Sequence, residues 1–400
     1  MYNPPAFFPG AAERRRRCRI RPLRDCTSRA PRGSLLKTVA EFKIGYHQIL
    51  DPGGKLVGTL PEFARDAREL DRMYRLMTLV RTFDTKAVNL QRTGKLGTYA
   101  SCLGHEAAHV GAGAALHADD VLVPAYREYG AQFWRGVAMS DVLLYWGGDE
   151  RGNKFANPTH DFAWCVPIAS QTLHAAGAAM AFKVRKEPRC ALTIIGDGGT
   201  SEGAFYEALN LAGVRQLPLV MIIVNNQWAI SLPLSEQTAT ATLAQKAIAA
   251  GIPGVQVDGN DVVAVRDIAS QALASARGGG GPTLIEAITY RLSDHTTADD
   301  ASRYREAGEV QDAWKIEPLL RLRKYLIDTG AWSESEEATL KEECGREVDA
   351  AVEVYLNTPK PDVESMFDYL FARMPANLKE QREQARLYSA AHGAADGGGH

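Results

Sequence analysis

The chain has 400 residues, 45% hydrophobic and 24% charged, with a formal net charge of −2. That leaves room for one large or two smaller domains with an ample core, and it argues against a nucleic-acid or other polyanion binder. The longest apolar runs, such as residues 217–224, fall far short of the roughly 20 residues a membrane helix needs, so no membrane contact is expected.

Residues 1–37 carry nine arginines, four of them consecutive at 14–17, against two acids, Glu13 and Asp25. A disordered basic extension, or residues added by an upstream start, is one reading. An Arg-rich transit peptide and a nucleic-acid-binding arm are the others. Residues 38–388 have the pattern of a folded domain, and 389–400, ending in AADGGGH, reads as a disordered tail. The six cysteines (Cys18, Cys26, Cys102, Cys165, Cys190 and Cys344) are scattered without Cys-x-x-Cys pairs, as reduced structural thiols would be.

In chain order, Asp51-Pro52-Gly53-Gly54 predicts a hairpin-like turn. Leu70, Met73, Leu76, Met77, Val80, Phe83 and Val88 predict a helix over 66–92. Residues 104–116 are small and alanine-rich, as a tightly packed helix would be; His105-Glu106 at its start is assigned to capping and packing. Residues 119–124 predict a short strand, followed by Tyr126-Arg127. Residues 147–164, rich in Gly, Asn and Asp, predict a loop over the active site.

The central stretch is 191–231. Residues 191–195 form a β-branched apolar run ending at Gly196-Asp197-Gly198-Gly199, residues 204–215 have helical spacing, and 219–224 are apolar again before Asn225-Asn226. A strand–helix–strand unit of this length demands a right-handed crossover and parallel strands. Both strands then end on one edge, one in a carboxylate and the other in amides. Oxygen ligands beside glycines suit a magnesium ion shared with phosphate. Downstream, 252–260 predict strand and loop, 261–277 an amphipathic helix, 278–281 a break and 283–290 a strand ending near Arg291 and His295. Residues 313–325 and 334–356 predict two charged helices.

Gly196-Asp197-Gly198, 26 intervening residues and Asn225-Asn226 match the thiamin diphosphate motif. With TYASCLGHEAAHVGAGAAL, VPAYREYG and GPTLIEAITYRLSDHTTADDASRYR, the chain from about Thr38 to Tyr388 resembles the alpha subunit of the decarboxylating component of pyruvate dehydrogenase complexes. The branched-chain 2-oxoacid enzyme is the near relative. The resemblance implies a doubly wound, mostly parallel α/β sheet with helices on both faces, an extended entry arm over 41–66 and a helical C-terminal portion. It implies thiamin diphosphate and Mg2+ as cofactors. Asp197, Asn226 and Trp228 would hold the metal, and Tyr126, Arg127, Gly198, Gly199 and Arg291 the diphosphate. Ile168 would force the cofactor into a bent shape. His295 would be the catalytic residue, a proton donor or electrostatic stabiliser that also touches the cofactor.

The same resemblance implies a beta subunit, in an α2β2 heterotetramer, and a lipoyl-bearing acyltransferase that takes the acyl group from a decarboxylated 2-oxoacid. Pyruvate is the expected substrate, with branched-chain 2-oxoacids and acetoin as alternatives. The expected compartment is the bacterial cytoplasm or else the mitochondrial matrix. Two departures matter. Ala204 stands where many pyruvate-type relatives carry an acid proposed to move protons between sites, and Thr296 stands where eukaryotic relatives carry a phosphorylated serine. A dinucleotide fingerprint is disfavoured because Ser201 occupies the third glycine position and Asp197 would repel a pyrophosphate unless a metal intervened. An inactive paralogue would be expected to lose Asp197, Asn226 or His295, and all three are present.

Overall fold

The computed structural model describes residues 38–392, Thr159 excepted. Residues 38–43 are exposed coil in a unit of their own; the folded body begins at Ile44. The basic extension 1–37, with Cys18 and Cys26, and residues 393–400 lie outside the described residues.

The body opens with β1 (Gly45–His47), α1 (Ala67–Arg92), α2 (Glu106–Ala115), β2 (Val121–Val123), α3 (Tyr129–Arg135) and α4 (Met139–Trp146). It continues with α5 (Ser170–Arg185), β3 (Ala191–Gly196), α6 (Gly203–Arg215) and β4 (Leu219–Asn225). A small hairpin, β5 (Trp228–Ala229) and β6 (Leu232–Pro233), leads through α7 (Leu234–Gln237) and α8 (Lys246–Ala249) to β7 (Gly254–Asp258), α9 (Val262–Arg277) and β8 (Thr283–Ile288). The C-terminal portion is α10 (Ala307–Trp314), α11 (Pro318–Asp328), α12 (Glu334–Asn357) and α13 (Ala376–His392).

Six strands form one parallel sheet in the order β1-β7-β8-β4-β3-β2. Strands β2, β3 and β4 are buried on both faces and so are nearly continuous apolar runs, whereas the edge strand β1 is exposed. Leu192, Ile194, Val220 and Ile222 pack into a core shared with α1, α2 and α9. Their neighbours Ala191, Ile195, Met221 and Ile223 pack on the other side with α5 and α6. The expected doubly wound architecture is therefore present. Helix α2 packs closely because it can: a Cβ on Gly111 would meet Val265 at 2.8 Å, and one on Gly113 would meet Ala131 at 2.8 Å.

Turns and caps follow the sequence. The Asp51 N–H donates to Lys55 O and the Gly54 N–H to Asp51 O, closing the predicted turn across an antiparallel Leu50–Leu56 bridge. The Asp66 side chain caps α1 by accepting from Arg68 N. Asp261 caps α9 with one carboxylate oxygen, while the other accepts from Ile49 and Leu50 N, tying the entry arm to the sheet.

Three expectations are corrected. The helix expected over 313–325 is broken: α10 ends at Trp314, the Glu317 carboxylate caps Leu319 and Leu320, and Pro318, lacking an N–H, opens α11. Helix α13 runs on to His392, so the boundary at 389 falls inside a helix. Residues 147–164 do not lie over the strand ends. Asp161 accepts from Leu122 N and pairs with Arg135 at 2.5 Å, pinning this segment along the edge strand β2. His160 sits there with Asn157 and Pro158 beside Trp134. Among the described residues, no helix is long and apolar enough to cross a membrane, and Cys102, Cys165, Cys190 and Cys344 are free thiols.

Candidate active site

Parallel strands place all their carboxyl ends on one edge, so the segments after β2, β3, β4 and β8 converge on a single cleft of ≈ 260 Å³. It gathers Tyr126, Arg127, Ile168, Asp197, Gly198 and Gly199, with Asn226, Trp228 and His295 completing the lining. A larger groove of ≈ 720 Å³ lies between α1, α11 and α12, but its charges satisfy one another, as Arg81 with Glu317 and Lys86 with Asp349 do. The strand-end cleft is the candidate site because it holds buried polar atoms without partners among the described residues, those of His105 and Gln171 Oε1 among them.

Asp197 carries a further signal. It is 2% exposed, and its side-chain partner among the described residues is the neutral Gln237 Nε2 at 3.1 Å. Burial pushes its pKa up from the ordinary carboxylate value. Asn226 Oδ1 accepts from Trp228 N at 3.2 Å. The Trp228 carbonyl, expected on the metal, accepts instead from Arg291 Nη1 at 3.3 Å, and its indole donates to Glu309 at 3.1 Å. A buried carboxylate without a cation, an amide oxygen and a glycine turn fit a magnesium ion.

The two glycines have a further reason to be there. A Cβ on Gly198 would meet Ala229 Cβ at 2.6 Å, and one on Gly199 would meet Ile195 at 2.6 Å, so protein packing already requires them. Ile168 is not core. It is 49% exposed and projects into the cleft, and Ala169 after it holds a left-handed φ of 65° as the chain turns into α5. The Gln171 Oε1 atom, buried at the same wall, has no hydrogen-bond donor among the described residues. An orphaned acceptor beside an apolar platform fits a heteroaromatic ring that brings its own donor.

Arg127 reaches across the cleft: Nη1 donates to Ser101 O, and Nη2 lies 2.9 Å from His295 O and 3.3 Å from His295 Nδ1. Arg291, expected on the diphosphate, stands behind the wall. Its Nη2 donates to Ile230 O and to the Tyr304 hydroxyl, both at 2.8 Å, and its Nη1 lies 3.4 Å from His295 Nδ1. Guanidinium groups only donate, so His295 Nδ1 must accept and its proton sits on Nε2. Burial, then Arg127 and Arg291, lower the His295 pKa to about 3, which makes the ring a neutral donor at physiological pH. Its loop is held by Asp299, which accepts from His295 N at 2.8 Å and from the Tyr304 hydroxyl.

Sequence reasoning missed Gln237, Gln171, Glu128 and the pair His105 and His109, all at or beside this cleft. Burial pushes the Glu128 carboxyl up to about 7. Glu128 had a sequence signal in its place beside Tyr126-Arg127, and Gln171 in its place three residues after Ile168. His105, assigned to capping, makes no side-chain capping bond; Glu106 takes that role by accepting from Gly104 N at 2.9 Å while pairing with Arg81 at 2.8 Å.

The buried histidines predict acid sensitivity. Burial first of all lowers the His109 pKa to about 3 and the His105 pKa well below its ordinary value. The unfolded chain, with histidine near 6.5, therefore takes up protons first, and their contribution is lost as pH falls from about 6.5 towards 3. At pH 5.5 each such histidine costs about 1.4 kcal/mol. Glu128 works in the opposite direction, so the readout is a difference. In urea unfolding at pH 7.5 and 5.5, His109→Gln should lose about 1.4 kcal/mol less than wild type over that interval. An unchanged interval would show that the His109 ring titrates normally.

Fold and cleft together define a doubly wound α/β protein with a polar cleft at the carboxyl edge of its sheet whose lining fits a cofactor. Residues 74–364 match the dehydrogenase E1 component family, and the chain belongs to it. The 3-methyl-2-oxobutanoate dehydrogenase subunit alpha of Mycobacterium tuberculosis is 42% identical over 362 residues, 90% of this chain and 97% of that protein. The pyruvate dehydrogenase E1 component subunit alpha of Acholeplasma laidlawii is 41% identical over 340 residues, 84% of this chain and 99% of that protein. Its counterpart in Staphylococcus aureus is 40% identical over 339 residues, 84% and 91% of the two chains.

Proposed function

We propose that this chain is the alpha subunit of a thiamin diphosphate- and magnesium-dependent pyruvate dehydrogenase, passing an acetyl group to the lipoyl arm of an acyltransferase. The observation that carries the reading is Asp197, a buried carboxylate without a cation, beside Asn226 on the edge where Arg127 and His295 also arrive. Bound thiamin diphosphate would supply the electron sink for decarboxylation of a 2-oxoacid. Asp197 and Asn226 would hold magnesium, and Tyr126 and Arg127 the diphosphate. Ile168 would shape the cofactor from below. The Trp228 carbonyl, which accepts from Arg291 Nη1, would bring its second lone pair to the metal. His295, neutral and protonated on Nε2, would donate a hydrogen bond to the oxygen on which charge develops and so stabilise it.

A second chain is part of the proposal. Ile168 and Ile230, 49% and 54% exposed, line the cleft, and Val166 and Leu173, exposed aliphatics close to Ile168 in the chain, extend that apolar surface. Covering such a surface is what a beta subunit in an α2β2 assembly would do. The bacterial cytoplasm is the proposed location.

The second reading is a branched-chain substrate, favoured by the 42% identity to the mycobacterial 3-methyl-2-oxobutanoate enzyme subunit. Co-expression with the neighbouring beta subunit, followed by an artificial-acceptor assay on pyruvate and 2-oxoisovalerate, tests both. Pyruvate should turn over at least about tenfold faster, a difference in barrier of about 1.4 kcal/mol. The reverse preference would give the chain to the branched-chain enzyme. Inactivity on every 2-oxoacid, with no thiamin diphosphate binding in calorimetry, would sink the family chemistry for this chain.

A further inference from the structure

We propose that His105 is a further ligand of the cofactor's diphosphate, donating a ring N–H to its terminal oxygens; this rests on the function proposed above. His105 precedes the first turn of α2, is 1% exposed and lines the cleft with Arg127 and His295. Among the described residues, neither Nδ1 nor Nε2 has a hydrogen-bond partner. Buried polar atoms left in that state cost free energy, and a native chain retains them where something else completes them.

The ring is held in place rather than loosely packed. The Leu292 N–H donates to Leu103 O at 3.1 Å, and the Thr289 hydroxyl donates to Gly104 O at 2.6 Å, stitching the segment before α2 to the chain leaving β8. Gly104 has φ 94°, and a Cβ there would strike the Tyr290 carbonyl, so this approach needs glycine. Behind His105, the His109 ring packs edge-on with centroids 5.5 Å apart and an interplanar angle of 72°.

The surroundings select the ligand. Arg127, Arg291 and His295 are the charged or titratable groups that act on His105 from the neighbouring segments, with His109 from its own helix. The one carboxylate nearby in sequence, Glu106, is occupied by Arg81 and Gly104 N. The N–H of a neutral imidazole among cations can gain a partner only from an acceptor brought into the cleft, and the cations favour one bearing negative oxygens. The start of α2, where free N–H groups concentrate, adds to the same preference. A diphosphate held by Arg127 presents such oxygens; a 2-oxoacid carboxylate is the competing occupant.

The test uses the full chain purified with its beta subunit, in excess magnesium, by titration calorimetry with thiamin diphosphate and thiamin monophosphate. His105→Phe, which keeps a ring but no N–H, should weaken thiamin diphosphate binding about tenfold and leave the monophosphate within about twofold. His105→Gln, which restores an N–H, should recover most of the loss. In wild type, the His105 imidazole nitrogen signals should shift on adding magnesium and inorganic pyrophosphate. Equal losses for both thiamin phosphates would reduce His105 to packing. A shift with 2-oxoacid but not with pyrophosphate would assign it to the substrate and overturn the proposal. Wild type binding neither thiamin phosphate would instead bring down the proposed function, and this inference with it.

Discussion

Asp197→Asn is expected to weaken magnesium thiamin diphosphate binding at least about 100-fold while raising the melting temperature of the cofactor-free chain. The two effects have one cause. Asp197 is 2% exposed, its side-chain hydrogen-bond partner is the neutral Gln237, and burial outweighs the field of Arg291, so its charge is unfavourable until a cation arrives. Its folded pKa lies above the unfolded value, which means the group favours folding only at acid pH and opposes it once ionised at neutral pH. Asparagine keeps the shape and can still meet Gln237, but it carries no charge to desolvate. Adding magnesium and thiamin diphosphate should then raise the melting temperature of wild type and leave that of the variant nearly unchanged. A variant that melts lower and still binds the cofactor would make Asp197 an ordinary turn residue.

The sheet and its polar carboxyl edge were legible in the sequence because each rests on a local signal. A β-branched run ending at Gly196-Asp197-Gly198 can hardly be anything but a buried parallel strand, and β3 and β4 have the expected limits within a residue. The stripe from Leu70 to Phe83 likewise needed no tertiary knowledge to define α1, which starts one residue later than expected, with Asp66 as its cap. What failed was non-local or punctuated. Residues 147–164 look like a loop over the active site by composition, yet Asp161 accepts from Leu122 N of β2 and pairs with Arg135 of α3, which fixes them along the edge strand. Pro318 was present to break the helix over 313–325, but the charged periodicity on either side concealed it.

Within the site, position was legible and partnership was not. His295 and Arg291 were placed together by the four-residue spacing after β8, and they do meet. That two guanidiniums converge on one ring nitrogen, fixing its tautomer, depends on Arg127 arriving from another strand end, 168 residues away in the chain. The same holds for His105. On an alanine-rich helix it looked like a cap, and only burial beside Arg127 reveals unspent nitrogens. Ile168 sits one residue before a left-handed Ala169, a conformation no propensity would have suggested.

Asp84→Ala should be the more damaging substitution for the fold, costing about 3–5 kcal/mol in urea unfolding. Asp84 is 3% exposed on α1 and organises the segment that approaches the cleft. One oxygen accepts from the Tyr99 hydroxyl at 3.0 Å and Cys102 N at 2.7 Å, the other from the Ser101 hydroxyl at 2.5 Å. Alanine would leave these donors buried without an acceptor, and that loss is large against a typical total stability of about 5–15 kcal/mol. The consequences reach the site, because the Ser101 carbonyl receives Arg127 and the Tyr99 backbone pairs with Thr297, two residues past His295. Asp84→Asn should cost only about 1–2 kcal/mol: its amide oxygen still serves Cys102 and Tyr99, the Ser101 hydroxyl can turn to accept, and a buried charge is removed. The pair of variants separates two roles for this carboxylate. If asparagine loses as much as alanine, the negative charge itself holds the segment, acting on Arg127 across the shared loop. If it recovers most of the stability, Asp84 is a hydrogen-bond acceptor and Arg127 is placed by geometry alone.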